Sequence, residues 1–220
     1  EIAVTSLEEA IEAERGGADS VEVSYDLARD GLTPSFELAT DIVERLSIDV
    51  HVIVRPHDCG FVYNDTEFAQ ILDDTQRFVG LGVAGIVYGA HCDDKSLHIE
   101  QIKQVVQAAD GLPVTLHRAL DSCVNPETSL NQLKGVISRV LTSGPAAYAW
   151  DGREGLRQWQ AQFGDVMDFI AAGSIRLEML PKLIMDTGVS GVHVGSAAQE
   201  NGRVSSNKVH KLRQQMLGIY

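Results

Sequence analysis

What constrains this chain most is a repeat of short stretches rich in β-branched residues, each followed by a segment with helical periodicity. The stretches begin near residues 2, 20, 50, 85, 113, 138, 168 and 191. Residues 2–4, 20–24, 50–54, 85–89, 114–117, 138–142, 168–172 and 191–195 read as strands, from alternation or from short apolar runs. Helix-start chemistry follows several of them: Thr5-Ser6 before Glu8-Glu9, Thr33-Pro34-Ser35, Asn64-Asp65 and Asn125-Pro126-Glu127. The helices so opened run to Gly16-Gly17, to about Leu46 and to near Gly80, with a fifth starting at Pro126; others cover about 99–109, 155–163, 177–186 and 206–217. Eight strands, each followed by a helix, imply a wholly parallel sheet. In 220 residues they predict an α/β fold of one domain, residues 1–220, closed as a (β/α)8 TIM barrel. The rival is a doubly wound open sheet, which a Gly-rich fingerprint after the first strands would favour; none is present there.

Barrel strands turn alternate residues outward to the helices and inward to the barrel. Placing Val21 and Val23, Val52 and Val54, Val114 and Leu116, and Val192 and Val194 outward leaves Glu22, Arg55, His117 and His193 inside, near the strand ends where such folds keep their chemistry. Glu22 and Arg55 lie on neighbouring strands, so they can pair. His117 is the candidate general acid or base, because imidazole titrates near neutral pH. Glu22 and Asp121 are the companion catalytic candidates, and Arg55 and Arg118 would bind or polarise a carboxylate or carbonyl. Three strand exits are small and hydroxylated: Thr142-Ser143-Gly144, Gly173-Ser174 and Gly195-Ser196. With His193 they are the candidate substrate-binding positions, and the last two occupy the place where barrels often hold phosphate. The expected ligand is a small anionic molecule.

The balance of 18 basic to 31 acidic residues gives −13 and argues against a nucleic-acid surface. No apolar run is long enough to span a bilayer, so no membrane partner is expected. Three cysteines, an odd number, argue against a disulfide framework and for a cytoplasmic setting. Cys59, Cys92 and Cys123 fall in the loops after strands three, four and five, with His57 and His91 nearby. A thiolate and imidazole cluster for Cu(I) or Zn²⁺ is geometrically open to them, although the spacing is not that of a closed zinc site.

Several ordered blocks carry a resemblance. They are Glu14-Arg15-Gly16-Gly17-Ala18-Asp19 with Val21-Glu22-Val23; Gly31-Leu32-Thr33-Pro34-Ser35; and Val54-Arg55-Pro56 with Phe61-Val62-Tyr63-Asn64-Asp65. Pro113 through Asp121 and Arg139-Val140-Leu141-Thr142-Ser143-Gly144 complete the set. From Ile2 to about Arg203 the chain resembles the CutC family of copper homeostasis proteins. The resemblance implies a (β/α)8 barrel, a cytoplasmic homodimer, and a role in copper homeostasis with a copper ion as ligand. Family members often carry cysteines on strand one and at the end of strand two, where this chain has Ala3 and Ser24. Two functions therefore stand side by side: copper binding, and a barrel lyase, isomerase or hydrolase acting on a small anionic metabolite.

Overall fold

In the computed structural model, which describes residues 1–218, eight parallel strands hydrogen-bond in sequence order. They are β1 (Ile2–Val4), β2 (Ser20–Val23), β3 (Asp49–Ile53), β4 (Gly85–Tyr88), β5 (Val114–Leu116), β6 (Arg139–Thr142), β7 (Asp168–Ala171) and β8 (Gly191–Val192). A parallel bridge between Ile2 and Val194 joins the last strand to the first, with Ala3 N donating to Val194 O at 3.0 Å. The sheet is thus closed, as a (β/α)8 barrel. Helices α1 (Leu7–Arg15), α2 (Phe36–Arg45), α3 (Asp65–Leu81), α4 (Ile99–Ala108), α5 (Pro126–Leu133), α6 (Arg153–Phe163) and α7 (Leu180–Thr187) follow β1 to β7, and α8 (Ser206–Leu217) follows β8.

The caps explain why the helices start where they do. Ser6 and Ser35 accept from the backbone N–H of Glu9 and Leu38, and Asn64 with Glu67 forms a capping box. Between β8 and α8 lies a small antiparallel hairpin, β9 (Gln199–Glu200) with β10 (Arg203–Val204), not anticipated above. Its turn is Asn201-Gly202, both at positive φ as a two-residue hairpin turn requires.

The main core lies between wall and helices. Val21, Val23, Val52, Ile86, Leu116 and Phe169 point outward and pack on side chains such as Ile42, Ile71, Leu130 and Trp159. The inner face follows from the register. Ala3, Glu22, His51 and Gly85 are Cα partners across β1 to β4, so these positions form one inward-facing row. A Cβ on Gly85 would lie 2.9 Å from His51 Cδ2 and from Pro113 O, so that glycine makes room for the imidazole.

Candidate functional site

A cavity of ≈ 710 Å³ opens among the strand exits, within the size range of small-ligand sites. Of the candidate residues, Glu22, Arg55, His117, Arg118, Asp121, Gly173, Ser174, His193, Gly195 and Ser196 line it. Thr142, Ser143 and Gly144 do not.

Below the mouth, the Glu1 carboxylate is fully enclosed. It lies 2.6 Å from His51 Nδ1 and 2.9 Å from His193 Nδ1, and accepts from Arg139 Nη2 at 3.0 Å. Burial pushes its proton affinity up, but the hydrogen bonds from His193 and His51 and the Arg139 charge outweigh that and hold the carboxyl well below the usual range. This anchor was not singled out from the sequence. Glu22 sits beside it without sharing those donors. Burial, with the Glu1 charge adding, raises its pKa against the pull of His193, His51 and Arg139. For His193, burial works against the charged form, yet Glu22 and Glu1 carry the balance and its pKa is raised. Glu22 and His193 are thus a carboxyl and an imidazole whose proton affinities are both lifted at one cavity wall.

Arg55 does not pair with Glu22. Its Nη1 donates to the backbone carbonyls of Arg29 at 2.8 Å and Gly31 at 3.0 Å, and its guanidinium lies over the Phe61 ring, 5.1 Å from the centroid. The side chain clamps the loop after β2, which holds a positive-φ turn at Asp30-Gly31; the register sets Glu22 level with His51, four residues before Arg55, so the two charged residues stand at different levels of the barrel.

His117 caps the short turn Arg118–Ser122, its Nδ1 accepting from Ala119 N at 3.1 Å. That bond places the ring proton on Nε2. Burial, helped by the charge of Arg55, pushes its pKa down to about 3, so the ring is neutral at physiological pH. This corrects the expectation that it titrates near neutrality. A Cβ on Gly89 would fall 2.6 Å from His117 Nδ1, so the glycine is what admits the ring.

Asp121 is wholly engaged. Its carboxylate accepts from Arg118 Nε at 2.7 Å, Ser143 Oγ at 2.6 Å, Ser143 N and Thr142 Oγ1. The Thr142-Ser143 turn therefore braces Asp121 from the neighbouring strand, and Asp121 in turn orients Arg118. Gly144, at φ +72, packs where a Cβ would meet Gly152 O at 2.4 Å. The exits of β7 and β8 are different. Among the described residues, the amides of Gly173, Ser174, Gly195 and Ser196 donate to no protein acceptor. Ser174 holds a left-handed φ of +51, a strained conformation for serine.

The cysteines do not assemble into a cluster. Cys59 is exposed, Cys92 and Cys123 are half-buried, His57 faces Glu67 at 3.4 Å, and His91 Nε2 lies 2.7 Å from Ala119 O. The group of residues able to bring three metal-ligating atoms within 4.8 Å of one another is Glu1, Glu22 and His193, all oxygen and nitrogen donors. No helix among the described residues is long and apolar enough to cross a membrane.

Fold and cavity together define a parallel β/α barrel with a pocket of mixed charge, holding unpaired N–H donors, at the C-terminal ends of its strands. Sequence comparison narrows the class: the CutC family profile matches residues 1–198. CutC family proteins from Salmonella agona (strain SL483) and Salmonella typhi are 38% identical over 194 residues, 88% of this chain and 77% and 74% of theirs. The crystal structure of CutC from Streptococcus agalactiae, provisionally named for copper homeostasis, superposes with a TM-score of 0.84 at 25% identity, covering 89% of this chain and 96% of that one. The chain belongs to the CutC family, and that membership suggests a role in copper homeostasis. Phosphoribosylanthranilate isomerase from Pyrococcus furiosus, at 18% identity and TM-score 0.64 over 99% of this chain and 97% of its own, shares the fold alone.

Proposed function

We propose that this CutC-family barrel binds a small anionic metabolite at its mouth and performs acid–base chemistry on it. One observation carries the reading: a single ≈ 710 Å³ cavity is lined both by anion-directed groups and by the Glu22–His193 pair. Arg118, held by Asp121, and the free amides at Gly173-Ser174 and Gly195-Ser196 would receive the anion. Glu22 and His193 would exchange protons with the ligand, both holding their protons more tightly than usual at the same cavity wall. His117 would take part as a fixed N–H donor. Thr142, Ser143 and Asp121 act by positioning.

The test is a thermal-shift and calorimetric panel of phosphorylated and carboxylated metabolites, with inorganic phosphate as the minimal anion. A ligand present at about a hundred times its Kd stabilises by roughly 2.7 kcal/mol, which raises Tm by about 5–10 °C in a domain this size. Arg118→Met should weaken the best ligand at least tenfold. If no anion, inorganic phosphate included, shifts the melt at 10 mM, the reading is wrong.

A second reading, copper binding, rests on the clustered donors of Glu1, Glu22 and His193. They do not fit Cu(I), which prefers thiolate and thioether sulfur, and Ala3 and Ser24 supply none. Cu(II) accepts oxygen and nitrogen, but Glu1 would have to surrender donors from His51 and Arg139. A Cu(II) titration of the wild type and Glu22→Gln separates the two readings: stoichiometric binding lost in the variant supports copper.

A further inference from the structure

Buried polar atoms without a partner are rare, and each one left so costs about 1–3 kcal/mol. In this protein two of them belong to neighbouring groups on the β3–β5 side of the cavity, across from the Gly-Ser turns of β7 and β8: His117 Nε2 and Arg55 Nε. Both residues line the cavity and are 5% and 4% exposed. Both are donors in fixed states. The Ala119 amide on Nδ1 leaves the His117 proton on Nε2, and a guanidinium does not lose its charge. The Phe61 ring lies against each, 4.8 Å from the His117 ring centroid and 5.1 Å from Arg55 Cζ. It follows Gly60, which lies at φ +98 with open space on the side a Cβ would occupy, and it also packs edge-on to the His91 ring at 5.4 Å between centroids.

Building on the small-anion reading above, we propose that His117 Nε2–H and Arg55 Nε–H form a subsite for one carbonyl oxygen of the ligand, exposed when Phe61 turns aside. The ligand class follows from the two ends of the cavity. It carries a phosphate or similar anion for the β7–β8 turns and a ketone or aldehyde oxygen for the donor pair. A neutral imidazole suits this task better than an imidazolium would: it polarises a carbonyl without protonating it outright. The bound oxygen also satisfies two donors that the unliganded protein leaves unpaired, so ligands lacking it are penalised.

The test uses matched pairs that differ only at the carbonyl: dihydroxyacetone phosphate against glycerol 3-phosphate, ribulose 5-phosphate against ribitol 5-phosphate, and fructose 6-phosphate against sorbitol 6-phosphate. Calorimetry on the whole chain should show at least one ketone binding ten times or more tighter than its alcohol, with the ¹³C carbonyl resonance moving downfield on binding. His117→Phe should erase that preference; His117→Gln, which keeps an acceptor for Ala119 N and an N–H donor, should retain part of it. If phosphorylated compounds bind but every pair agrees within twofold, the carbonyl subsite is refuted and the anion site stands. If neither the pairs nor inorganic phosphate binds, the anion reading fails and takes the subsite with it. The wild-type comparison alone decides between these results, even where a variant does not fold.

Discussion

The His117 ring makes the barrel's stability depend on pH in a way that one substitution isolates. The ring is buried at 5% exposure and its pKa is pushed down to about 3, by burial first and then by the Arg55 charge, with His91 and Arg118 adding to it. In the unfolded chain the same ring titrates near 6.5. A lowered folded pKa means that its contribution is fully present above the unfolded value and is lost as pH falls toward the folded one. At pH 7 both states are mostly neutral at this ring. At pH 5 the unfolded chain binds a proton there and the folded chain does not, which destabilises the fold by about 2 kcal/mol, or about 4–8 °C in Tm. Urea unfolding of the wild type and His117→Gln at pH 7 and pH 5 reads this directly. The glutamine amide oxygen can still accept from Ala119 N, and the other titrating groups are common to both chains. The stability gap between the two proteins should change by about 2 kcal/mol between the two pH values, in favour of the variant at pH 5. A change below roughly 0.5 kcal/mol, well under the linkage expectation, or a His117 ring resonance titrating near pH 6.5, would refute both the buried neutral ring and the donor role built on it.

Three further outcomes follow from the geometry. Asp121→Asn removes the charge behind the bonds from Arg118 and Ser143 and should cost about 2–4 kcal/mol in urea unfolding; an unchanged midpoint means the carboxylate braces nothing. Gly89→Ala puts a methyl 2.6 Å from His117 Nδ1 and 3.0 Å from Ala119 Cβ, so it should cost about 1–3 kcal/mol and displace the His117 ring signals in the NMR spectrum, with unmoved signals counting against the contact. Arg139→Met removes the guanidinium partner of Glu1 and should destabilise by roughly 3 kcal/mol, since it leaves a buried carboxylate short of a cation; a melt within 2 °C of wild type would show that His51 and His193 suffice.

The barrel was legible because its pattern is carried by side-chain alternation, which survives without any tertiary knowledge: Val21 and Val23 outward fix Glu22 inward, and Val192 and Val194 do the same for His193. Adjacency follows from closure, so the meeting of Asp121, after β5, with Thr142 and Ser143, at the end of β6, was also within reach. What the pattern does not carry is partner choice. Arg55 reaches loop carbonyls instead of Glu22, which the register sets level with His51, four residues earlier on the strand; adjacency of strands gives neighbours but not that stagger. Glu1 stands one position before β1 with no alternation around it to mark its direction. Gly85 and Gly89 read as ordinary strand punctuation until the imidazoles of His51 and His117 are seen filling the space a Cβ would need. The Asn201-Gly202 turn did carry a recognisable hairpin signal, hidden by the brevity of the two strands it joins.

The interior divides by how completely its polar atoms are satisfied, and that division bears on function more than the count of charges does. The Glu1 carboxylate meets two imidazoles, a guanidinium and the Ser20 hydroxyl; so closed a set holds the barrel's lower layer in one arrangement and leaves little for a ligand to gain. The rim has the opposite character. His117 Nε2, Arg55 Nε and the amides at the β7 and β8 exits are donors without acceptors, in a chain whose net charge is −13. At this cavity the unpaired groups are N–H donors although the chain as a whole is acidic, and a rim of that kind is complementary to an oxygen-rich anion. A metal cation would meet the reverse at that rim, since N–H donors and guanidinium groups repel it, and would have to compete for carboxylates already held. For the copper connection of the family to be direct in this chain, the lower layer would have to open, and the cost of breaking the Glu1 bonds to His51 and Arg139 would be subtracted from the affinity for Cu(II).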